Sequence, residues 1–309
     1  MKTLVSVLVA TVGIAASAAT AATFGPLVAP AELSERLDEV EPIVLDLRGD
    51  AYAEGHIAGA VSAPYGLFRG PAENPGQMLD EEVLEERYEA LGLELDRPVV
   101  IVPEGRTDTD FGAAARVYWT LKSSGFTDLS ILNGGIVAWQ AAGLPLETEA
   151  VSPTPTELDI GFSDEWTVDT EQVLAVTRGE VDALLLDARP EDFYEGRSSH
   201  AAAARPGTLP GAENHVYTSF FDEDSAAISR EPAVSPLLED LGVGEGEAIV
   251  SFCNTGHWAA TNWFALSEVA GLDNVKLYPG SMVEFSAAGH DMENTPGRIE
   301  HFINKLRGY

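Results

Sequence analysis

Cys253 is the sole cysteine of the chain, and it directly follows the apolar run Ala248-Ile249-Val250-Ser251-Phe252. Asn254-Thr255-Gly256-His257-Trp258 then separates it from a helical stretch starting near Ala259. Strand, short loop and helix in that order put a thiol at the carboxyl end of a parallel-sheet strand, where such folds bind ligands, and at the positive end of a helix. The loop N–H groups would then form an anion cradle around the sulfur, as a nucleophile or a sulfur carrier requires. Gly256 gives that cradle one residue free to adopt positive φ. An inert apolar cysteine is the alternative, and a loop of Asn, Thr, Gly and His argues against it. One thiol excludes an intramolecular disulfide, and six His without i, i+4 pairing give no metal site. No cofactor is expected.

The elements that must position this loop recur. Pro42-Ile43-Val44-Leu45-Asp46-Leu47-Arg48 is answered by Ala183-Leu184-Leu185-Leu186-Asp187-Ala188-Arg189, and Gly55 to Ala60 by Gly207 to Ala212. Ala114 to Leu121 lines up with Ala259 to Leu266, and Leu132-Asn133-Gly134-Gly135 to Trp139 with Tyr278-Pro279-Gly280-Ser281 to Phe285. Four blocks in one order make the chain an internal repeat. Each copy alternates short apolar runs with helical stretches, the pattern of parallel-sheet α/β units. The strands are expected at Ile43 to Leu47, Val99 to Val102 and Leu129 to Leu132, then at Ala183 to Asp187, Ala248 to Phe252 and Val275 to Tyr278. Trp119, Trp139 and Trp263 are expected in the core, and Trp258 at the start of its helix.

We therefore divide the chain into a first domain at 23–147, a linker at 148–164 marked by Ser152-Pro153-Thr154-Pro155-Thr156, and a second domain at 165–295. A C-terminal helix at 296–309 carries Ile299, Phe302, Ile303 and Leu306 on one face and is expected to dock through it. Residues 1–22 read as a signal peptide: Met1-Lys2, an apolar stretch to Ala16, then Ala19-Thr20-Ala21 as a cleavage signal. The expected location is periplasmic or secreted, with no membrane attachment after cleavage. A formal net charge of −32 would repel nucleic acid and anionic membrane surfaces over most of the molecule.

These motifs carry a resemblance. Asp-x-Arg, the Gly-x-x-x-Gly-Ala block and the Cys-x-x-Gly loop of the second copy, with the Leu-Asn-Gly-Gly-x-x-x-Trp block and Ala-x-Arg-x-x-Trp run of the first, are similar to those of tandem-domain rhodaneses. That family includes thiosulfate and mercaptopyruvate sulfurtransferases. The resemblance implies an α/β fold of two rhodanese-like domains, each a parallel sheet flanked by helices. It further implies catalysis by Cys253 and a non-catalytic first domain, whose corresponding loop, Val102-Pro103-Glu104-Gly105-Arg106-Thr107-Asp108, has no thiol.

The implied activity is transfer of a sulfane sulfur from a small anionic donor (thiosulfate, mercaptopyruvate or polysulfide) through a Cys253 persulfide to a thiol, cyanide or protein acceptor. Asn254, Thr255, Gly256, His257 and Trp258 form the binding loop. The loop departs from thiosulfate-specific members, which carry cations there. The mercaptopyruvate branch has a second Arg where this chain has Phe193, with Arg197 and Arg205 the candidates to replace it. Arg189 is expected to bind the donor, an internal ion pair with Asp187 being the alternative. Only the ion-pair reading is taken for the matched Arg48. His257 is either a pH-dependent donor contact or a solvent-facing loop residue. A related phosphatase would need a longer loop closing on Arg, which is lacking. A non-catalytic periplasmic carrier of sulfane sulfur stays open as the alternative function.

Overall fold

The computed structural model describes residues 23–307 apart from 224, 230–233, 243 and 245, so the expected signal peptide lies outside the described residues. The first half runs β1 (Leu27–Val28), α1 (Pro30–Val40), β2 (Ile43–Asp46), β3 (Val61–Ser62), α2 (Glu81–Ala90), β4 (Val99–Val102), α3 (Asp108–Ser123), β5 (Leu129–Leu132) and α4 (Gly135–Ala141). The second runs α5 (Thr170–Thr177), β6 (Leu184–Asp187), α6 (Glu191–Tyr194), β7 (Glu213–Asn214), α7 (Val234–Asp240), β8 (Ile249–Phe252), α8 (Trp258–Trp263), β9 (Val275–Leu277), α9 (Ser281–Ala288) and α10 (Arg298–Arg307). A π-helical stretch, Phe264–Val269, continues α8.

Both sheets are wholly parallel, in the orders β1-β5-β4-β2-β3 and β7-β6-β8-β9. Parallel strands covered on both faces are continuously apolar rather than alternating, and the central strands Val99–Val102 and Ile249–Phe252 are buried at every position. The second sheet shows β1's counterpart only as a single bridge, Thr167 to Leu277. Helix starts follow local chemistry. Pro30 opens α1 with its φ already helical, and reciprocal capping boxes start α3 (Thr107 with Asp110) and α5 (Asp169 with Gln172).

The halves meet along α3 and α8. Phe111 and Tyr118 of α3 set their rings edge-on against Phe264, at 5.4 and 5.0 Å, and Trp119 and Trp263 are fully buried beside them. One apolar core is therefore continuous across the two sheets.

The connecting segment lies on the first half. Alternate amides along its extended chain are held by α2: Thr156 donates to the Glu89 carbonyl, Leu158 to Glu89 Oε1, Ile160 to Glu85 Oε2 and Phe162 to Glu81 Oε2. Two residues of extended chain rise about 6.6 Å and four residues of helix about 6 Å, so glutamates spaced by four meet amides spaced by two.

The C-terminal helix forms but does not dock through its apolar face. Ile299 and Leu306 are 79% and 73% exposed and Ile303 is 40% exposed, whereas Asn304 is buried; the side chain of Phe302 lies outside the described residues. The segment before it is anchored by backbone pairing of Glu293 with Thr208 and by Asn294 Nδ2 donating to the Tyr194 carbonyl, and the helix leaves that anchor with its Asn304 side inward.

Candidate active site at the domain boundary

Cys253 stands at the end of β8 with 1% of its surface exposed. Each peptide of the loop after it is gripped from outside. The Cys253 and Asn254 carbonyls accept from the amides of Met282 and Val283, at the start of α9. The Thr255 carbonyl accepts from Arg69 Nη2 (2.8 Å) and Arg116 Nη1 (3.4 Å), and the Gly256 carbonyl from Arg116 Nη1 (3.4 Å). In a planar trans peptide the N–H points opposite the C=O. Holding these oxygens on the outside turns the following amides inward, and among the described residues no acceptor takes the amides of Asn254 or Thr255. Free inward N–H groups beside a thiol form an anion cradle.

Ser281 sets the floor of the loop. Its Oγ accepts from the Cys253 amide (3.0 Å) and the Gly256 amide (3.2 Å) while donating to the Tyr278 carbonyl (2.8 Å). It does so at φ 48°, left-handed backbone that is strained for a side chain with a Cβ. Gly256 is required twice over: its φ is +66°, and a Cβ there would lie 2.4 Å from Arg116 Nη1 and 2.7 Å from the Pro279 carbonyl. Gly76 of the first half passes as closely, a Cβ meeting the Pro279 carbonyl at 2.2 Å.

His257 corrects both of its expected roles. Nε2 lies 2.9 Å from the Thr109 carbonyl, an acceptor only, so Nε2 carries the hydrogen and Nδ1 accepts from the Tyr65 hydroxyl at 3.0 Å. Burial, reinforced by Arg69, pushes its pKa down to about 4, so the ring is neutral at neutral pH. It is a latch to the first half. Trp258 also bonds across the boundary, Nε1 donating to Thr109 Oγ1 (2.8 Å), and stacks on Tyr217 at 5.2 Å.

The three expected donor-binding arginines are engaged elsewhere. Arg189 is 2% exposed and doubly bonded to Asp187; Nη2 also donates to the Gly207 carbonyl, and Nη1 reaches Asn254 Oδ1 at 3.4 Å. Arg48 repeats this in the first half with Asp46, the Gly55 carbonyl and Glu104 Oε2 at 4.0 Å. Since the half without a nucleophile keeps the same arrangement, Arg189 holds a strand end and steadies the loop through Asn254. Arg197 is paired with Asp192 and Glu195, and Arg205 donates to the His290 carbonyl. Carboxylates have taken the Arg197 guanidinium, in a chain where acids outnumber bases 50 to 18, while Arg205 bonds to a carbonyl and keeps a buried Nε without a partner.

The cations at the loop are instead Arg69 and Arg116, from the first half. Arg116 falls within the Ala-x-Arg-x-x-Trp run, so a signal for it existed. Nothing in the order of residues singled out Arg69, Tyr65 or Thr109.

A family model described as "Rhodanese-like domain" matches residues 29–142 and again 170–288. The chain is 32% identical over 261 residues to the thiosulfate sulfurtransferase of Azotobacter vinelandii, covering 84% of this chain and 93% of that protein. It is 28% identical over 268 residues to the 3-mercaptopyruvate sulfurtransferase of Escherichia coli K12, covering 82% and 92%. The crystal structure of SseA from Escherichia coli, described as a 3-mercaptopyruvate sulfotransferase, superposes with a TM-score of 0.71 at 26% identity, covering 83% of this chain and 98% of that one.

Proposed function

The chain belongs to the rhodanese family, with two rhodanese-like domains in tandem, and from that premise we propose that it moves a sulfane sulfur from a small anionic donor to a thiophilic acceptor through a persulfide on Cys253. The supporting observation is the loop itself, whose carbonyls from Cys253 to Gly256 are held outward so that the amides of Asn254 and Thr255 are left for an anionic sulfur.

In the first displacement the Cys253 thiolate attacks the outer sulfur of the donor. With thiosulfate, the bond between the two sulfur atoms breaks, its electron pair leaves with sulfite, and the new S–S bond makes Cys253 a persulfide anion. With mercaptopyruvate, the C–S bond breaks and pyruvate leaves after its carbon gains a proton. An acceptor thiolate, cyanide or partner protein then takes the terminal sulfur and returns the thiolate. Two displacements on one nucleophile give ping-pong kinetics, and the inward amides stabilise the persulfide charge without reorganising. No step calls for a cofactor. The N-terminal sequence, a short apolar run ending in Ala-x-Ala, supports export to the periplasm or beyond.

Mass spectrometry after exposure to thiosulfate, mercaptopyruvate and polysulfide in turn tests the reading. The wild type should gain one sulfur atom with at least one donor, and Cys253→Ser none. Undiminished turnover by Cys253→Ser overturns it. A non-catalytic carrier would acquire the persulfide from a partner yet show no steady-state turnover with small donors.

A further inference from the structure

We propose that Arg69 and Arg116, both from the half that has no nucleophile, form the subsite beside Cys253 that binds the oxyanion of the sulfur donor and of its leaving group. The proposal rests on the sulfur-transfer reading and names the residues that select the donor.

Two observations carry it. The ion-paired arginines among the described residues are Arg36, Arg48, Arg97, Arg106, Arg189 and Arg197. Arg69 and Arg116 are not among them, in a protein of net charge −32. They bond only to neutral groups: the Thr255, Gly256 and Gly76 carbonyls and the Met78 sulfur. A buried guanidinium without a counter-anion is unfavourable, and two close together more so. The strain registers on Arg116, which is 1% exposed and whose pKa is lowered to about 9 by burial and by Arg69, with only Tyr65 and Cys253 acting in the opposite sense.

The second observation is that each guanidinium retains an unused donor. Arg69 Nη1 and Arg116 Nε are both buried and without a hydrogen-bond partner. Most buried donors are satisfied, so two orphans on mutually interacting cations, both bonded to carbonyls of the loop that follows the nucleophile, point to an anion as their partner. A compact oxyanion supplies both charges' counterpart. It also resolves an apparent conflict, since an acidic protein must admit an acidic donor: a cation in contact with the donor is little screened, while acids beyond about 8 Å are largely screened at physiological salt.

The oxyanion is a sulfonate in thiosulfate and a carboxylate in mercaptopyruvate, and the test separates them. Sulfite and pyruvate, the respective leaving groups, are titrated calorimetrically into the full chain, its Arg69→Met and Arg69→Lys variants, and Arg116→Lys. At least one anion should bind the wild type; Arg69→Met should weaken it about tenfold or more, and Arg69→Lys should recover much of the loss. Which anion responds fixes the donor class. In parallel, reaction of Cys253 with an uncharged organic trisulfide, in which the thiolate attacks the central sulfur and an organic thiolate leaves to give a mixed trisulfide on Cys253, should fall less in Arg69→Met than sulfur uptake from the anionic donor, whose KM rises about tenfold. Binding that is absent in the wild type or unchanged in Arg69→Met overturns the proposal. So does equal loss with charged and uncharged donors, which would leave the arginines only a loop-positioning role. Anion binding that follows Arg69 while Cys253 never gains sulfur would instead refute sulfur transfer and leave the subsite standing.

Discussion

The Tyr65 hydroxyl donates to Nδ1 of His257 across the domain boundary, 3.0 Å away, and the opposite nitrogen of that ring is spent on the Thr109 carbonyl. The Tyr65 contact needs a neutral imidazole, whereas the Thr109 contact survives protonation. Protonation would put a hydrogen on Nδ1 against the Tyr65 hydroxyl and add a cation to a neighbourhood already holding Arg69 and Arg116, with Asp110 the acid that favours it.

Acid should therefore loosen the boundary. The folded ring has its pKa pushed down to about 4 against 6.5 unfolded, so between these values the unfolded chain binds the proton and the folded one does not. The contribution is complete above pH 6.5 and is lost as pH falls towards 4, by about 3 kcal/mol at most given the ring's partial exposure. Urea midpoints of wild type and His257→Gln at pH 7.5, 5.5 and 4.5 check this. The carboxylates titrate in both proteins, so the difference between them should shrink with acid; a constant difference would contradict the linkage.

Arg48 and Arg189 should behave alike in stability. Each has a buried carboxylate partner that truncation leaves unpaired, at a cost of about 3–5 kcal/mol. Arg189→Ala should also lower kcat through Asn254 and the loop, without the selective rise in KM for an anionic donor expected of Arg69→Met. A KM rise confined to anionic donors in Arg189→Lys would return Arg189 to the donor site.

Ser281→Ala removes the oxygen that receives two loop amides and leaves both buried, about 2–3 kcal/mol in all. For a chain of this size the melting temperature should drop by roughly 4–10 °C. Persulfide formation on Cys253 should slow about tenfold, because the loop backbone loses its floor. Ser281→Gly relieves the positive φ and should be the more stable of the two variants, yet equally slow.

Residues 165–309 produced alone should self-associate and take up sulfur poorly. They would expose Trp263, Phe264 and Tyr217 and lose Tyr65, Arg69, Thr109 and Arg116 from the loop. Size-exclusion chromatography and mass spectrometry check both outcomes, and supplying residues 23–164 separately should restore persulfide formation.

What the residue order disclosed was local. The apolar runs at Val99 to Val102 and Leu129 to Leu132 are strands over those spans, Ile43 to Leu47 and Ala248 to Phe252 differ by one end residue, and the thiol stands between strand and helix as its neighbours imply. The matched blocks proved informative down to hydrogen bonds: Ile136 and Val137 donate to Pro103 and Glu104 as Met282 and Val283 do to Cys253 and Asn254. What stayed hidden was long-range. Arg69 meets Thr255 only after two sheets have folded and packed, and no periodicity encodes that meeting. Arg197 misled because charge can be read from a sequence but the partner that neutralises it cannot. Strand β1 is two residues long, too short for a pattern.

The glutamate ladder on α2 changes the length of the tether between the halves. With the amides from Thr156 to Phe162 fixed to the first half, and the Ser163 amide bound to the Ser123 carbonyl, the free connection shortens to the few residues before Val168, whose amide bonds to Leu277. A short tether keeps the effective concentration of one half at the other's surface high, in the millimolar range or above. Any parting of α3 from α8 would thus be an intramolecular event, reversed at a rate that dilution of the protein does not alter.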